Sequence, residues 1–259
     1  MNDDSHNLRK LYGETVWRVH HGRVPPHKAT LSKGAGMYSA PFLGLPAAQP
    51  FHDSGEFSWS EKLSASHEVV TNELRTYLTE SQEACRQPDG DVWMESTTNL
   101  CDDTRGFTKP ILFEDADGSP TDIGATYFRT TLALLKQVQL APRPVCINCQ
   151  HPQTGLAPHS DNMNFLLTTH LGLLIPNDGP CLFSNHDETY SWKPGSVVVA
   201  DSSFVHATRN DSPTTSRYVL SFAFWHPDLS EQERQGIVHT IHEALQDEEE
   251  AVELNPQWG

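Results

Sequence analysis

Between Pro144 and Trp225 the chain is divided into short apolar runs rich in β-branched and aromatic residues, and this pattern commits it to β-sheet architecture. The runs are Val145–Cys149, Phe165–Ile175, Cys181–Ser184, Ser196–Ala200 and Arg217–Trp225. Asn177-Asp178-Gly179-Pro180, Lys193-Pro194-Gly195 and Asn210-Asp211-Ser212-Pro213 lie between them and carry turn chemistry. Short strands spaced this way predict a mainly β fold with flanking helices, built on a double-stranded β-helix (jelly-roll or cupin-like) core.

Upstream the pattern is different. Residues 1 to about 50 read as irregular, with Pro25-Pro26, Gly34-Ala35-Gly36 and Pro41 breaking any long element. Leu63–Leu78 reads as an amphipathic helix that places Val69, Val70, Leu74, Tyr77 and Leu78 on one side. The Asp-, Gly-, Thr- and Pro-rich stretch 86–125 reads as a long ordered loop region, and Phe128–Val138 as a second helix that stops before Pro142. Ser230-Glu231-Gln232-Glu233 is a capping box for a last helix, with Ile237, Ile241, Ala244 and Leu245 as its buried face. We read 1–259 as a single domain, with an irregular and helical part to 140, a jelly-roll core over 141–230 and a C-terminal helix and acidic tail over 231–259.

At 259 residues the chain can bury a full core. A net charge of −16 argues against nucleic acid and anionic membranes as partners, because both require basic patches. No apolar run reaches the length of a membrane helix, and Met1-Asn2-Asp3-Asp4 lacks the layout of a signal peptide, so a cytoplasmic protein is expected. The five cysteines (Cys85, Cys101, Cys146, Cys149 and Cys181) are expected to be reduced thiols. Cys146-x-x-Cys149 lies on a strand pattern without a following helix start, and reads as structural.

Within the β-region one constellation carries chemistry. His159-Ser160-Asp161 puts an imidazole and a carboxylate two residues apart, on one face of an extended segment. His206 follows Asp161 by 45 residues, and Arg217 comes 11 residues later at the head of an apolar run. Two histidines and one carboxylate are the ligand set of a facial triad, which suits Fe(II) and leaves the opposite face of the ion open. A lone arginine pointing into an apolar barrel is costly unless it meets an anion, and its fork fits a carboxylate.

At these residues the sequence resembles the aspartyl/asparaginyl β-hydroxylase family of Fe(II)- and 2-oxoglutarate-dependent oxygenases. The resemblance rests on His151-Pro152, Pro158-His159, Asn164, His170-Leu171-Gly172-Leu173-Leu174-Ile175-Pro176, Asp201-Ser202-Ser203-Phe204-Val205-His206, Arg217 and Trp225-His226-Pro227-Asp228-Leu229, and spans about 145–230. It implies that His159 and His206 bind iron and that Arg217 binds the far carboxylate of 2-oxoglutarate. It also implies that His170 lies near the metal-bound end of that co-substrate and that Asn148 is a small polar partner for the far carboxylate. Asp161 stands where the animal protein-hydroxylating members have glycine, and completes the His159, Asp161, His206 set. Leu166 and Thr168 stand where those members have arginines that help hold an acidic substrate and the co-substrate, which leaves Thr168 as a co-substrate-side position.

The resemblance implies an oxygenase that consumes 2-oxoglutarate and O₂ and releases succinate and CO₂. The expected substrate is a free amino acid, small peptide or related metabolite that is hydroxylated, desaturated or cyclised. Two alternatives stay open: hydroxylation of an aspartyl or asparaginyl side chain in a protein, and a cupin-like metal-binding protein without 2-oxoglutarate chemistry. The sequence leaves the oligomeric state open.

Overall fold

The computed structural model describes residues 45, 49–80, 94–95, 106–112, 119–141, 143–159, 161 and 163–238, with the backbone alone at 94–95, 106–110, 112, 157 and 159. Among these residues eleven strands form two antiparallel sheets. In chain order they are β1 (Phe51–His52), β2 (Met94–Glu95), β3 (Gly106–Leu112), β4 (Val145–Gln150), β5 (Thr154–His159), β6 (Leu166–Leu174), β7 (Cys181–Asn185), β8 (Glu188–Ser191), β9 (Val197–Ala200), β10 (His206–Asn210) and β11 (Arg217–Trp225). The larger sheet has the order β1-β9-β6-β11-β4-β3-β2 and the smaller one β5-β10-β7-β8. From β4 onward the chain passes back and forth between the sheets, the β7–β8 hairpin apart, which is the winding of a double-stranded β-helix.

The larger sheet is buried on both faces, and this explains the nearly unbroken apolar composition of β11. On its outer face Tyr218, Leu220, Phe222 and Phe224 join Ile147, Leu167, Leu171 and Val199 against Trp59, Val70, Leu74, Tyr77 and Leu135 of a helical layer. On its inner face Val219, Val198 and Ala200 meet Cys181, Phe183 and Trp192 from the smaller sheet. The two sheets are also tied by polar contacts. Gln150 Nε2 donates to Thr208 Oγ1 at 2.9 Å, and the Asn210 carboxamide donates to the carbonyls of Gln150, His151 and Thr215.

The helical layer contains α1 (Ser60–Ala65), α2 (His67–Glu80), α3 (Asp122–Tyr127) and α4 (Arg129–Leu135). The single helix expected over Leu63–Leu78 is therefore two. The break at Ser66 follows from docking onto the Lys193–Gly195 turn: Ser64 Oγ donates to the Gly195 carbonyl at 2.6 Å, and the His67 ring covers Gly195, whose φ of +75° suits glycine. Val70, Leu74 and Tyr77 are buried as expected, but Val69 is 48% exposed, so the buried stripe runs through Val70 and Thr71.

Two further expectations are corrected. Part of the stretch 86–125 is sheet: β3 pairs with β4 along its length and with β2 at Phe107 and Thr108. Pro110 masks this strand in the sequence, and the structure accommodates it at a register shift between Pro110 and Leu112, a position where proline is tolerated. Cys146 and Cys181 are free and buried, but Cys149 is disulfide-bonded, so the thiols are not all reduced. The expected capping box forms, with the Ser230 amide donating to Glu233 Oε2 at 2.8 Å, and it starts a helix (α5) over 231–238 with Ile237 fully buried. Ile241, Ala244 and Leu245 lie outside the described residues, as do residues 1–44, which read as irregular in the sequence. No helix among the described residues is long and apolar enough to cross a membrane.

Candidate active site

His206 opens β10, and its register partner across the antiparallel pair is His159, the last residue of β5. Directly opposed residues of such a pair are close neighbours across the strands, so the backbone sets the two histidine positions side by side at one end of the smaller sheet. A bulge between His206 and Thr208 sits beside this pair, as bulges often do where a strand aims a functional side chain. The His206 ring points between the sheets, 8% exposed and edge-on to Phe183 at 5.9 Å. Its Nδ1–H donates to the Phe204 carbonyl at 2.9 Å, which puts the ligating lone pair on Nε2.

Asp161 is carried to the same place by its backbone. The Asp161 N–H donates to the Ser202 carbonyl at 2.9 Å, tying the H-x-D segment to the turn that precedes His206. The Asp161 carboxylate lies 3.4 Å from Arg143 Nη1, with both groups partly exposed. His159 is placed by its backbone, its side chain lying outside the described residues, as do Ser160 and Asn162. Among the described side chains no group of three His, Cys, Asp or Glu is gathered for a metal. The donor chemistry still suits iron: a neutral imidazole with its tautomer set, a carboxylate and a cross-strand histidine.

Arg217 heads β11 on the inner face, 4% exposed. Its Nη2 donates to Gln150 Oε1 at 3.2 Å and its guanidinium lies over the Trp192 ring at 4.4 Å, while Nε and Nη1 are buried without a partner. Burial lowers its pKa to about 10, so the group stays charged at neutral pH. A buried cation with two unmet donors and no carboxylate partner among the described residues has the chemistry to take up an anion.

Of the positions named by resemblance, Asn148 and His170 lie across from Val219 and Ser221, on the same strand face as Arg217. His170, on β6, has its Nδ1 buried and unpartnered, and Asn148, on β4, has its Oδ1 in the same condition. Burial, then the Arg217 charge, then His206 push the pKa of His170 down to about 3, while Asp161 acts in the opposite direction. The charges that act on His170 are thus those of Arg217, His206 and Asp161. Thr168 differs, because its hydroxyl is engaged with the Ser202 hydroxyl. Leu166 is buried in an apolar cluster with Phe165, Ala223 and Trp225.

Four residues of the site escaped the sequence reading. Gln150 shares a strand face with Asn148 and could have been found by the period of two. Phe183 falls within a strand run with nothing to mark it as a site residue, and Trp192 and Arg143 lie outside every strand pattern. A surface groove lined by His67, Asn72, Arg75, Ile175, Thr215 and Tyr218 lies beyond the opposite face of the larger sheet and includes none of the candidate ligands.

Fold and site together define a double-stranded β-helix with a cross-strand histidine pair on one sheet and a buried arginine with unmet donors on the other. The family model described as "Aspartyl/Asparaginyl beta-hydroxylase" matches residues 66–227, and the chain belongs to that family. The mouse and human proteins named aspartyl/asparaginyl beta-hydroxylase are each 37% identical over 87 residues, which is 34% of this chain but 12% and 11% of those proteins. Human aspartate beta-hydroxylase domain-containing protein 2 is 31% identical over 94 residues, covering 36% of this chain and 25% of that protein. The chain thus matches only a small part of the length of these relatives. Among solved structures, a Pseudomonas putida prolyl-4-hydroxylase matches 64% of this chain and 98% of its own at 13% identity and a TM-score of 0.40.

Proposed function

We propose that the chain is an Fe(II)- and 2-oxoglutarate-dependent oxygenase that hydroxylates, desaturates or cyclises a free amino acid, small peptide or related metabolite. The observation that carries this reading is Arg217, a buried guanidinium whose Nε and Nη1 have no partner among the described residues. Such a group matches the distal carboxylate of a diacid bound at the neighbouring metal position. When bound, iron and 2-oxoglutarate supply the oxidant: in a hydroxylation, one atom of O₂ enters the substrate C–H bond, the other enters succinate, and CO₂ leaves.

The protein's own residues do the positioning. His159, Asp161 and His206 would hold the metal. Arg217 would anchor the far carboxylate with Asn148 beside it, and the neutral His170 would face the metal-bound end. The apolar walls from Phe183, Val198 and Val219 exclude water from this space and so strengthen each charged contact inside it. We read 1–259 as one oxygenase domain and expect neither nucleic acid nor membrane among its partners.

The names of the relatives favour the alternative, in which an aspartyl or asparaginyl side chain of a protein is hydroxylated. Leu166 and Thr168 weigh against an acidic protein substrate held as in those relatives, since one is packed in an apolar cluster and the other bonded to Ser202. The compartment follows the Cys149 disulfide: such bonds persist where thiols are not kept reduced, which weighs against the cytoplasmic expectation. The test of function is anaerobic loading with Fe(II) and 2-oxoglutarate, followed by exposure to O₂ with a panel of amino acids, metabolites and Asp- or Asn-containing peptides. Succinate release stimulated by a free small molecule supports the reading; stimulation by peptides alone replaces it with the alternative. Metal binding with no 2-oxoglutarate turnover across the panel leaves a cupin-like binding protein.

A further inference from the structure

One indole touches both residues assigned to the two ends of the co-substrate. Trp192 follows β8 and is pinned by its backbone N–H, which donates to the Cys181 carbonyl at 3.0 Å. Its ring lies under the Arg217 guanidinium at 4.4 Å. The His170 ring lies 5.6 Å from it at an interplanar angle of 36°. Phe183 stacks on it at 5.4 Å and 12°, and Phe183 in turn lies 5.4 Å from His170 and 5.9 Å from His206. Trp192 is 2% exposed and Phe183 2%, so the stack is a dry, closely packed wall.

The consequence is geometric. Arg217 has only one hydrogen-bond partner among the described residues, Gln150, so the aromatic face beneath it is its main lateral constraint. A guanidinium restrained by a desolvated cation–π contact keeps its two unmet N–H edges in one direction. His170 is restrained by the same ring. The separation between the two groups that receive the ends of a diacid is therefore set through Trp192, and a pocket with fixed ends discriminates between diacids by chain length.

Resting on the reading of the site as a 2-oxo diacid pocket, we propose that Trp192 is a positioning residue that determines which 2-oxo diacid the enzyme accepts. Removing the ring lets Arg217 and His170 move apart and relaxes the preference for the five-carbon acid over its six-carbon homologue.

The experiment compares the unmodified protein with Trp192→Phe and Trp192→Leu, each loaded with Mn(II) in place of iron. The affinities for 2-oxoglutarate and 2-oxoadipate are measured by calorimetry, and folding is followed by near-ultraviolet circular dichroism. The leucine variant is expected to lose roughly tenfold or more in 2-oxoglutarate affinity, the size of a desolvated cation–π contact, with a smaller loss for 2-oxoadipate. The phenylalanine variant, which keeps an aromatic face, is expected to retain most of the discrimination. If the leucine variant does not fold, Phe183→Leu, which loosens the stack without touching Arg217, is expected to shift the same ratio. An unchanged affinity ratio in the folded leucine variant, or in Phe183→Leu in its place, overturns the role of Trp192 and leaves the diacid reading intact. Failure of the unmodified protein to bind either acid overturns the diacid reading and this inference with it.

Discussion

His206 and His159 are register partners at one end of the β5–β10 pair, so the two candidate imidazole ligands are coupled through a single cross-strand contact of the smaller sheet. Asp161 joins them through the bond from its N–H to the Ser202 carbonyl. We expect His159→Ala, Asp161→Ala and His206→Ala each to weaken Fe(II) binding sharply while leaving a folded protein, because a three-ligand site tolerates no loss. Equilibrium dialysis against Fe(II) under anaerobic conditions measures this. Unimpaired binding in any one variant removes that residue from the ligand set.

Arg217→Ala should act on the co-substrate and not on the metal. Truncating one partner of a buried charge pair typically costs about 2–5 kcal/mol, or roughly thirtyfold or more in affinity for 2-oxoglutarate. Arg217→Lys should recover little, because an ammonium lacks the two-point fork. A calorimetric titration that finds 2-oxoglutarate affinity unchanged in the alanine variant would show that the guanidinium faces something else.

Gln150 is a structural counterpart of that pair. Its carboxamide accepts from Arg217 and donates to Thr208, joining the sheets while 2% exposed. Gln150→Ala leaves Thr208 and Arg217 with fewer partners in a buried setting, at a cost of about 1–3 kcal/mol. Urea unfolding should show a lower midpoint with the slope preserved. A midpoint equal to that of the unmodified protein would mean that water replaces the amide at no cost.

His52 predicts a pH effect. Burial, assisted by the neighbouring His226 and opposed by Asp228, lowers its pKa from 6.5 to about 4. The Gln49 side-chain amide donates to its Nδ1, an arrangement that requires the neutral ring. As the pH falls below 6.5 the unfolded chain takes up the proton first, so this contribution to stability is full above pH 6.5 and declines towards pH 4. Thermal midpoints of the unmodified protein and His52→Gln across that window isolate the effect from other groups, such as Asp201, whose pKa burial raises to about 6. The variant should lose less stability on acidification; parallel curves would contradict the assignment.

The residues that could be read in advance were those whose environment matches their local pattern. β4, β6, β7, β9 and β11 were legible because their apolar runs face packed layers. β5 and β10 were not, although they carry His159 and His206. Thr154-Gly-Leu-Ala-Pro-His and His206-Ala-Thr-Arg-Asn hold few β-branched apolar residues, because their sheet is open on one face and its inner positions go to ligands and polar ties. The ligands themselves were legible from H-x-D, the distant histidine and the arginine, which depend on chemistry more than on strand propensity. Trp192 and Phe183 were invisible as site residues, since nothing separates an aromatic wall from an aromatic core until the partners are in place.

The candidate metal ligands belong to the smaller sheet and its turns, whereas Arg217, Asn148 and His170 belong to the larger one. The working distance of the site is thus the gauge between two layers, and whatever fills the gap between them acts as a spacer. Val198, Ala200 and Val219, which wall the site without offering it a polar group, set that gauge together with Phe183. Altering their volume would shift the proposed site as a shim shifts a caliper, so its behaviour depends on aliphatic positions as well as on the polar residues they hold apart.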